Sequence, residues 1–100
     1  MSDTRKVQGL LGLAQRSGKL VSGEFMVEKA VKGGQGLLVI VAGDASDNTK
    51  KKFKNMCTFY HVPFVEMLDK DTLGHCTGHS ERSSLALTDS GFAETIKGML

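Results

Sequence analysis

The chain is 100 residues long, 40% apolar and 24% charged, with a net charge of +2, one proline and two cysteines. That is enough for one globular domain spanning residues 1–100, with a core that needs no metal or disulfide staple. It excludes a membrane-spanning helix, because the longest apolar run, Leu37–Ala42, is far short of the ~18 residues such a span requires.

In chain order, Val7, Leu10, Leu11 and Ala14 recur at helical spacing over residues 4–16, and Ser17-Gly18-Lys19 is a stop. Leu20-Val21 allows only a brief strand. Ser22 is then the expected N-cap of a helix reaching Lys32, which Gly33-Gly34 ends. The run LLVIVA (37–42) is β-branched and uniformly apolar, as expected of a central strand covered on both faces. GDASDNT makes a loop and a cap, and a helix follows from about Asn48 to Tyr60. Thr49, Phe53, Met56, Cys57 and Tyr60 form its expected core stripe, with Lys50, Lys51, Lys52 and Lys54 around the rest. VPFVEM (62–67) is a second strand, in which Pro63 favours an entry or edge position. DKDTLGHCTG gives a short helix and SSLALT (83–88) a last strand. Asp89 or Ser90 caps a final helix carrying Phe92, Ile96 and Met99. Alternation of this kind predicts one sheet between helical layers, an α/β/α sandwich.

Charge is unevenly spread. Residues 1–54 hold ten Lys/Arg against five Asp/Glu, whereas residues 55–100 hold three against six. Such asymmetry suggests one basic surface facing an anionic partner. The N-terminal MSDTRKVQ has no apolar stretch of the signal-peptide kind. Cys57 and Cys76 lack the close pairing of a zinc or redox motif, so a cytoplasmic protein with reduced thiols is expected.

No enzyme constellation stands out: G-x-G-x-x-G, P-loop and G-x-S-x-G patterns are all missing. In LGHCTGH, His75 and His79 stand four apart around Cys76, and on one helix face they would hold a metal or activate a thiol. A metal site needs further ligands, for which Cys57 and His61 are only conceivable partners, and Gly78 threatens to end the helix before His79. No cofactor or metal is expected. The bland reading of NTKKKFK is the solvated face of an ordinary helix, and that of Asp44–Asn48 is capping and turn chemistry.

LVSGEFMVEKAVKGG (20–34) resists a bland reading. At about 100° per residue, Val27, Ala30 and Val31 share the face that should be buried. Phe25 then points nearly opposite, beside Lys29 and Lys32. An aromatic ring among lysines suits a stacked base with its phosphates held nearby. Ser22-Gly23 at the helix start adds unpaired backbone N–H groups and room for close approach. Packing of Phe25 beneath a neighbouring loop, or a helix phase displaced by one residue, is the competing explanation.

Taken in order and spacing, LLGLAQRSGKLVSG, KA, LLVIVAGDASDNTKKK, C..Y.VPF and LG...G resemble the L-seven-Ae/L-thirty-e family of ribosomal and kink-turn RNA-binding proteins. Within it they look most like the bacterial YlxQ-type branch, over nearly the whole chain. The resemblance implies a three-layer α/β/α sandwich with a mixed four-stranded sheet. It also implies binding to kink-turn RNA, a sharply bent duplex with tandem sheared G·A pairs beside a three-nucleotide bulge. In that family the second helix opens with Gly-x-Asn-Glu-x-x-Lys, which enters the kinked major groove. The matching stretch is Gly23-Glu24-Phe25-Met26-Val27-Glu28-Lys29: Gly23 and Lys29 match, and Phe25-Met26 stand in place of Asn-Glu. The family's second contact is the loop that is here His79-Ser80-Glu81-Arg82, with polar residues where apolar ones are usual.

The expected RNA-contacting set is therefore Ser22, Gly23, Glu24, Phe25, Met26, Lys29, Lys32, His79, Ser80, Glu81 and Arg82. The expected protein is a non-enzymatic, cytoplasmic monomer, with structured RNA (ribosomal RNA or the ribosome included) as partner and no membrane. The alternative is a ribosome-associated adaptor that kept the fold and lost kink-turn recognition.

Overall fold

The computed structural model describes residues 2–100, with side chains from Thr4 onward; Met1, the first residue of MSDTRKVQ, lies outside the described residues. Nine elements follow one another: α1 (Ser2–Arg16), β1 (Leu20–Ser22), α2 (Glu24–Lys32), β2 (Leu38–Val41), α3 (Asp47–Tyr60), β3 (Phe64–Glu66), α4 (Lys70–Cys76), β4 (Ser84–Leu87) and α5 (Ser90–Lys97). The four strands form one mixed sheet in the order β1-β4-β2-β3. β4 is antiparallel to both β1 and β2, while β2 and β3 run parallel. The α2 and α3 helices pack together on one side of the sheet; α1, α4 and α5 pack together on the other. The α/β/α sandwich follows.

Burial explains the layering. Every residue of β2 and β4 is buried, as the apolar run at 37–42 predicts for a strand covered on both faces. Helix phases agree: Val7, Leu11 and Ala14 of α1, Val27, Ala30 and Val31 of α2, and Phe53 and Cys57 of α3 all enter the core. Pro63 sits just ahead of the edge strand β3, where its carbonyl accepts from Val39 N–H at 3.0 Å.

Several boundaries differ from expectation for local reasons. Ser22 is not an N-cap: it ends β1, paired with Leu85, and Gly23 holds the cap position without a side-chain bond. The α3 helix starts at Asp47 because Ser46 caps it, its Oγ accepting from Thr49 N–H at 3.1 Å. Asp89 caps α5, accepting from Phe92 N–H at 3.0 Å. Tyr60 leaves the core stripe: it is 39% exposed at the last turn of α3. Met99 lies beyond the end of α5. Among the described residues no helix is long and apolar enough to cross a membrane.

Candidate functional site

The α2 helix begins immediately where β1 ends, so the strand delivers Ser22 and Gly23 to one rim of the sheet. Gly23 adopts φ 94°, ψ 149°, a positive-φ conformation that a residue with a Cβ rarely takes. Its N–H donates to Ser84 O at 3.1 Å and its carbonyl accepts from Val27 N–H at 3.0 Å, anchoring the turn to β4 and starting the helix. No side chain caps α2, unlike α3, α4 and α5, which Ser46, Asp69 and Asp89 cap.

The second expected segment arrives from the other side of the molecule. The α4 helix ends at Cys76, and Thr77 and Gly78 (φ 78°) turn the chain back. His79 N–H donates to Gly74 O at 2.8 Å and Arg82 N–H to Lys70 O at 3.1 Å, folding the 79–82 loop against α4. Gly74 makes this approach possible: a Cβ there would lie 2.4 Å from Glu81 Cα. From that loop Arg82 donates through Nε to Ser22 Oγ at 3.1 Å. Segments 60 positions apart in the chain are thus bonded directly. Ser22, Gly23 and Arg82 form the junction, and His79, Ser80 and Glu81 are exposed beside it.

Along α2 the expected residues divide by environment. Phe25 is 74% exposed, and no loop covers it. Helical phasing opposite Val27, Ala30 and Val31 is the reason, so the packed-under-a-loop explanation fails. Met26 is partly exposed, and with Lys29 it borders a hollow of about 250 Å³ floored by Val21 and Ala30. Lys29 is exposed and makes no ion pair among the described residues.

Glu24 and Lys32 are already engaged. Lys52 of α3 bridges Glu24 at 2.7 Å and Glu28 at 2.9 Å, and Lys32 binds Glu28 at 2.8 Å. Hydrogen bonds from Lys32 and then Lys52 hold the Glu28 carboxyl at about 2, against an ordinary 4.5. The same contacts raise both lysines. The α2 carboxylates are therefore neutralised in place together with Lys32 and Lys52, and the helix presents Lys29 and Phe25 with little opposing charge.

Lys52 belonged to a run that reads as a solvated face, so its role was missed. Only the side-by-side packing of α2 and α3 brings it to Glu24 and Glu28. The Asp44–Asn48 segment does serve as turn and cap chemistry, with Asp44 Oδ1 accepting from Lys70 N–H at 2.9 Å. His75 and His79 do not share a helical face, because α4 stops between them. Burial pushes the Cys57 thiol up to about 11 and also raises Cys76, away from thiolate reactivity. Among the described residues no three His, Cys, Asp or Glu side chains are grouped to hold a metal ion.

Residues 5–97 match the model of the Ribosomal protein L7Ae/L30e/S12e/Gadd45 family, and the chain belongs to that family. It is 41% identical to the RNA-binding protein YlxQ of Bacillus subtilis (strain 168) over 91 residues, covering 91% of each chain. A solved structure of a protein with unknown function from Bacillus halodurans C superposes with a TM-score of 0.90 at 38% identity, covering 94% of this chain and 95% of that one. The Giardia lamblia 15.5kD RNA binding protein shares the fold, with a TM-score of 0.80 at 18% identity over 100% of this chain and 92% of that one.

Proposed function

We propose that this protein is a non-enzymatic RNA-binding protein that recognises sharply bent, kink-turn-like RNA with the start of α2 and the 79–82 loop. The observation that carries the reading is the Ser22–Arg82 bond, which joins the two segments into one continuous surface beside an uncovered Phe25. Gly23 lets an RNA backbone come close to the uncapped helix start, where N–H groups favour phosphate. Phe25 offers a ring for a base and Lys29 a free charge for a phosphate beside it, while Lys32 would exchange Glu28 for a phosphate. Met26 borders the α2 hollow, and His79, Ser80 and Glu81 are exposed on the loop that Arg82 ties to the start of α2. The name of the Bacillus subtilis relative, an RNA-binding protein, supports the same assignment. The reading extends to a single-domain, cytoplasmic monomer with ribosomal RNA among its partners.

One observation favours a second reading. Phe25 and Met26 replace the polar pair that the family uses to read G·A edges, which suits an adaptor that kept the fold and lost kink-turn recognition. Titration against a kink-turn RNA and a control with disrupted G·A pairs separates the two. Selective binding of the kink-turn supports the first reading; equal weak binding of both supports the adaptor.

A further inference from the structure

A hollow of about 320 Å³ lies between α1 and α4, on the side of the sheet opposite α2, and the α2 surface does not use it. Gln8, Gly9, Gly12 and Arg16 line it from α1, and His75 and Cys76 from α4. At about 100° per residue these α1 positions fall on one stripe of the helix, so the sequence itself turns them together toward α4.

Gly9 and Gly12 open the hollow. A Cβ at Gly12 would meet Arg16 Nη1 at 3.4 Å and Cys76 O at 3.8 Å, so the guanidinium lies back over this glycine beside the end of α4. A Cβ at Gly9 would meet nothing within 4 Å. An alanine would fit there and would favour the helix, so packing gives no reason for the glycine; its effect is an open floor.

The groups around that floor are donors. Arg16 is a permanent cation with a fork of N–H groups, and His75 and Gln8 each add an N–H. None of the three side chains has an ion-pair or hydrogen-bond partner among the described residues. The Cys76 carbonyl beside Gly12 can satisfy only part of the Arg16 fork. Among the described residues no carboxylate lines the hollow, and residues 4–16 contain Arg5, Lys6 and Arg16 but no acid. Asp71, one turn before His75, lies in the first turn of α4 and is not part of the lining. Arg5, exposed and without an ion pair, stands one turn before Gly9 on the same stripe. Donors without acids, gathered around a guanidinium in a concave site, match a phosphate, which accepts from several N–H groups at once.

We propose that this hollow is a phosphate-binding site, in which Arg16 holds the anion while His75 and Gln8 complete its shell. The phosphate belongs to an RNA backbone or to a small phosphate ester; the chemistry is shared, and the test separates the sources. The site does not depend on the reading of α2.

The amide signals of Gly9 and Gly12 are followed by NMR as inorganic phosphate is added at constant pH and ionic strength. In the wild-type protein both should shift and saturate. Arg16→Gln should weaken the response at least about tenfold, as loss of a charge-assisted hydrogen bond does. Gly9→Leu, which fills the floor without changing charge, should remove it. A parallel titration with kink-turn RNA identifies the source. Lower RNA affinity in both variants, with a log–log salt slope reduced by about 0.7–0.9 in Arg16→Gln, assigns the phosphate to the RNA backbone. Phosphate binding with RNA affinity unchanged in both variants assigns it to a small phosphate ester. No saturable shift in the wild type together with unchanged RNA affinity in both variants overturns the proposal. A phosphate response that survives either substitution overturns it as well. Lower melting stability in Arg16→Gln with neither titration changed makes Arg16 a tie between α1 and α4, and the proposal falls. If the wild-type protein does not bind the RNA at all, the α2 reading fails and the phosphate titration alone decides this site.

Discussion

Arg82 Nε lies 3.1 Å from Ser22 Oγ, and this bond closes the gap between the 79–82 loop and the start of α2. It is partly buried, and a neutral hydroxyl accepts from a charged guanidinium, so it should contribute at the upper end of a net hydrogen bond. Ser22→Ala should lower stability by about 1.5 kcal/mol. Arg82→Ala should in addition weaken RNA binding, because the loop loses its tether and the surface a cation. Urea melts and RNA titrations on both variants check this. Unchanged RNA affinity in Arg82→Ala would separate the loop from binding.

Gly74 is the position at which α4 and the 79–82 loop touch backbone to backbone. Gly74→Ala places a Cβ against Glu81 Cα and N and Ser80 C, all closer than 3 Å. None of these is a flexible side-chain end, so the loop must move. The substitution should cost about 1–3 kcal/mol, as overpacking does, and should displace the loop enough to reduce RNA affinity. A denaturation midpoint equal to the wild type would show that the loop yields freely.

The Glu28 carboxyl has a folded pKa near 2 against an ordinary 4.5, so its pairing with Lys32 and Lys52 stabilises the fold above the higher value. That contribution is lost as pH falls through the lower one. The stability difference between wild type and Glu28→Gln should therefore be constant above about pH 4.5 and vanish near pH 2. Added salt should shrink it, because the network lies at the surface. Urea midpoints across this range measure it; a difference that ignores pH would mean the pairs contribute nothing.

Much of the candidate site's geometry was legible in the sequence. The phase of α2 followed from Val27, Ala30 and Val31, which are buried as a helical apolar stripe requires, and it placed Phe25 outward correctly. Ser22 was not legible, since a serine before a helix reads as a cap whether or not a strand claims it. Tyr60 continued the spacing of Phe53 and Cys57 but is exposed for a geometric reason. The 14-residue α3 is about 21 Å long, whereas the three- and four-residue strands beneath it cover about 10–13 Å. The residues after the buried Cys57 have little sheet to pack on. The Lys52 bridges depend on how two helices meet, which no local pattern encodes.

Lys29 is exposed and free of ion pairs among the described residues, so its charge is available to a phosphate. Affinity should fall steeply with salt, and Lys29→Ala should reduce the log–log slope by about 0.7–0.9, the release accompanying one phosphate contact. Titrations at several salt concentrations give the slopes directly. An identical slope in the variant would remove Lys29 from the interface.

On the proposed reading Phe25 is exposed because its face binds RNA, and Phe25→Ala is the sharpest test of it, with melting and kink-turn titration on the same samples. At 74% exposure the ring adds little to folding, so stability should change by no more than ~0.5 kcal/mol. RNA affinity should fall by about 1–3 kcal/mol, the loss of one stacked base. An unchanged affinity for kink-turn RNA in a variant that melts like the wild type would remove Phe25 and its face from RNA binding.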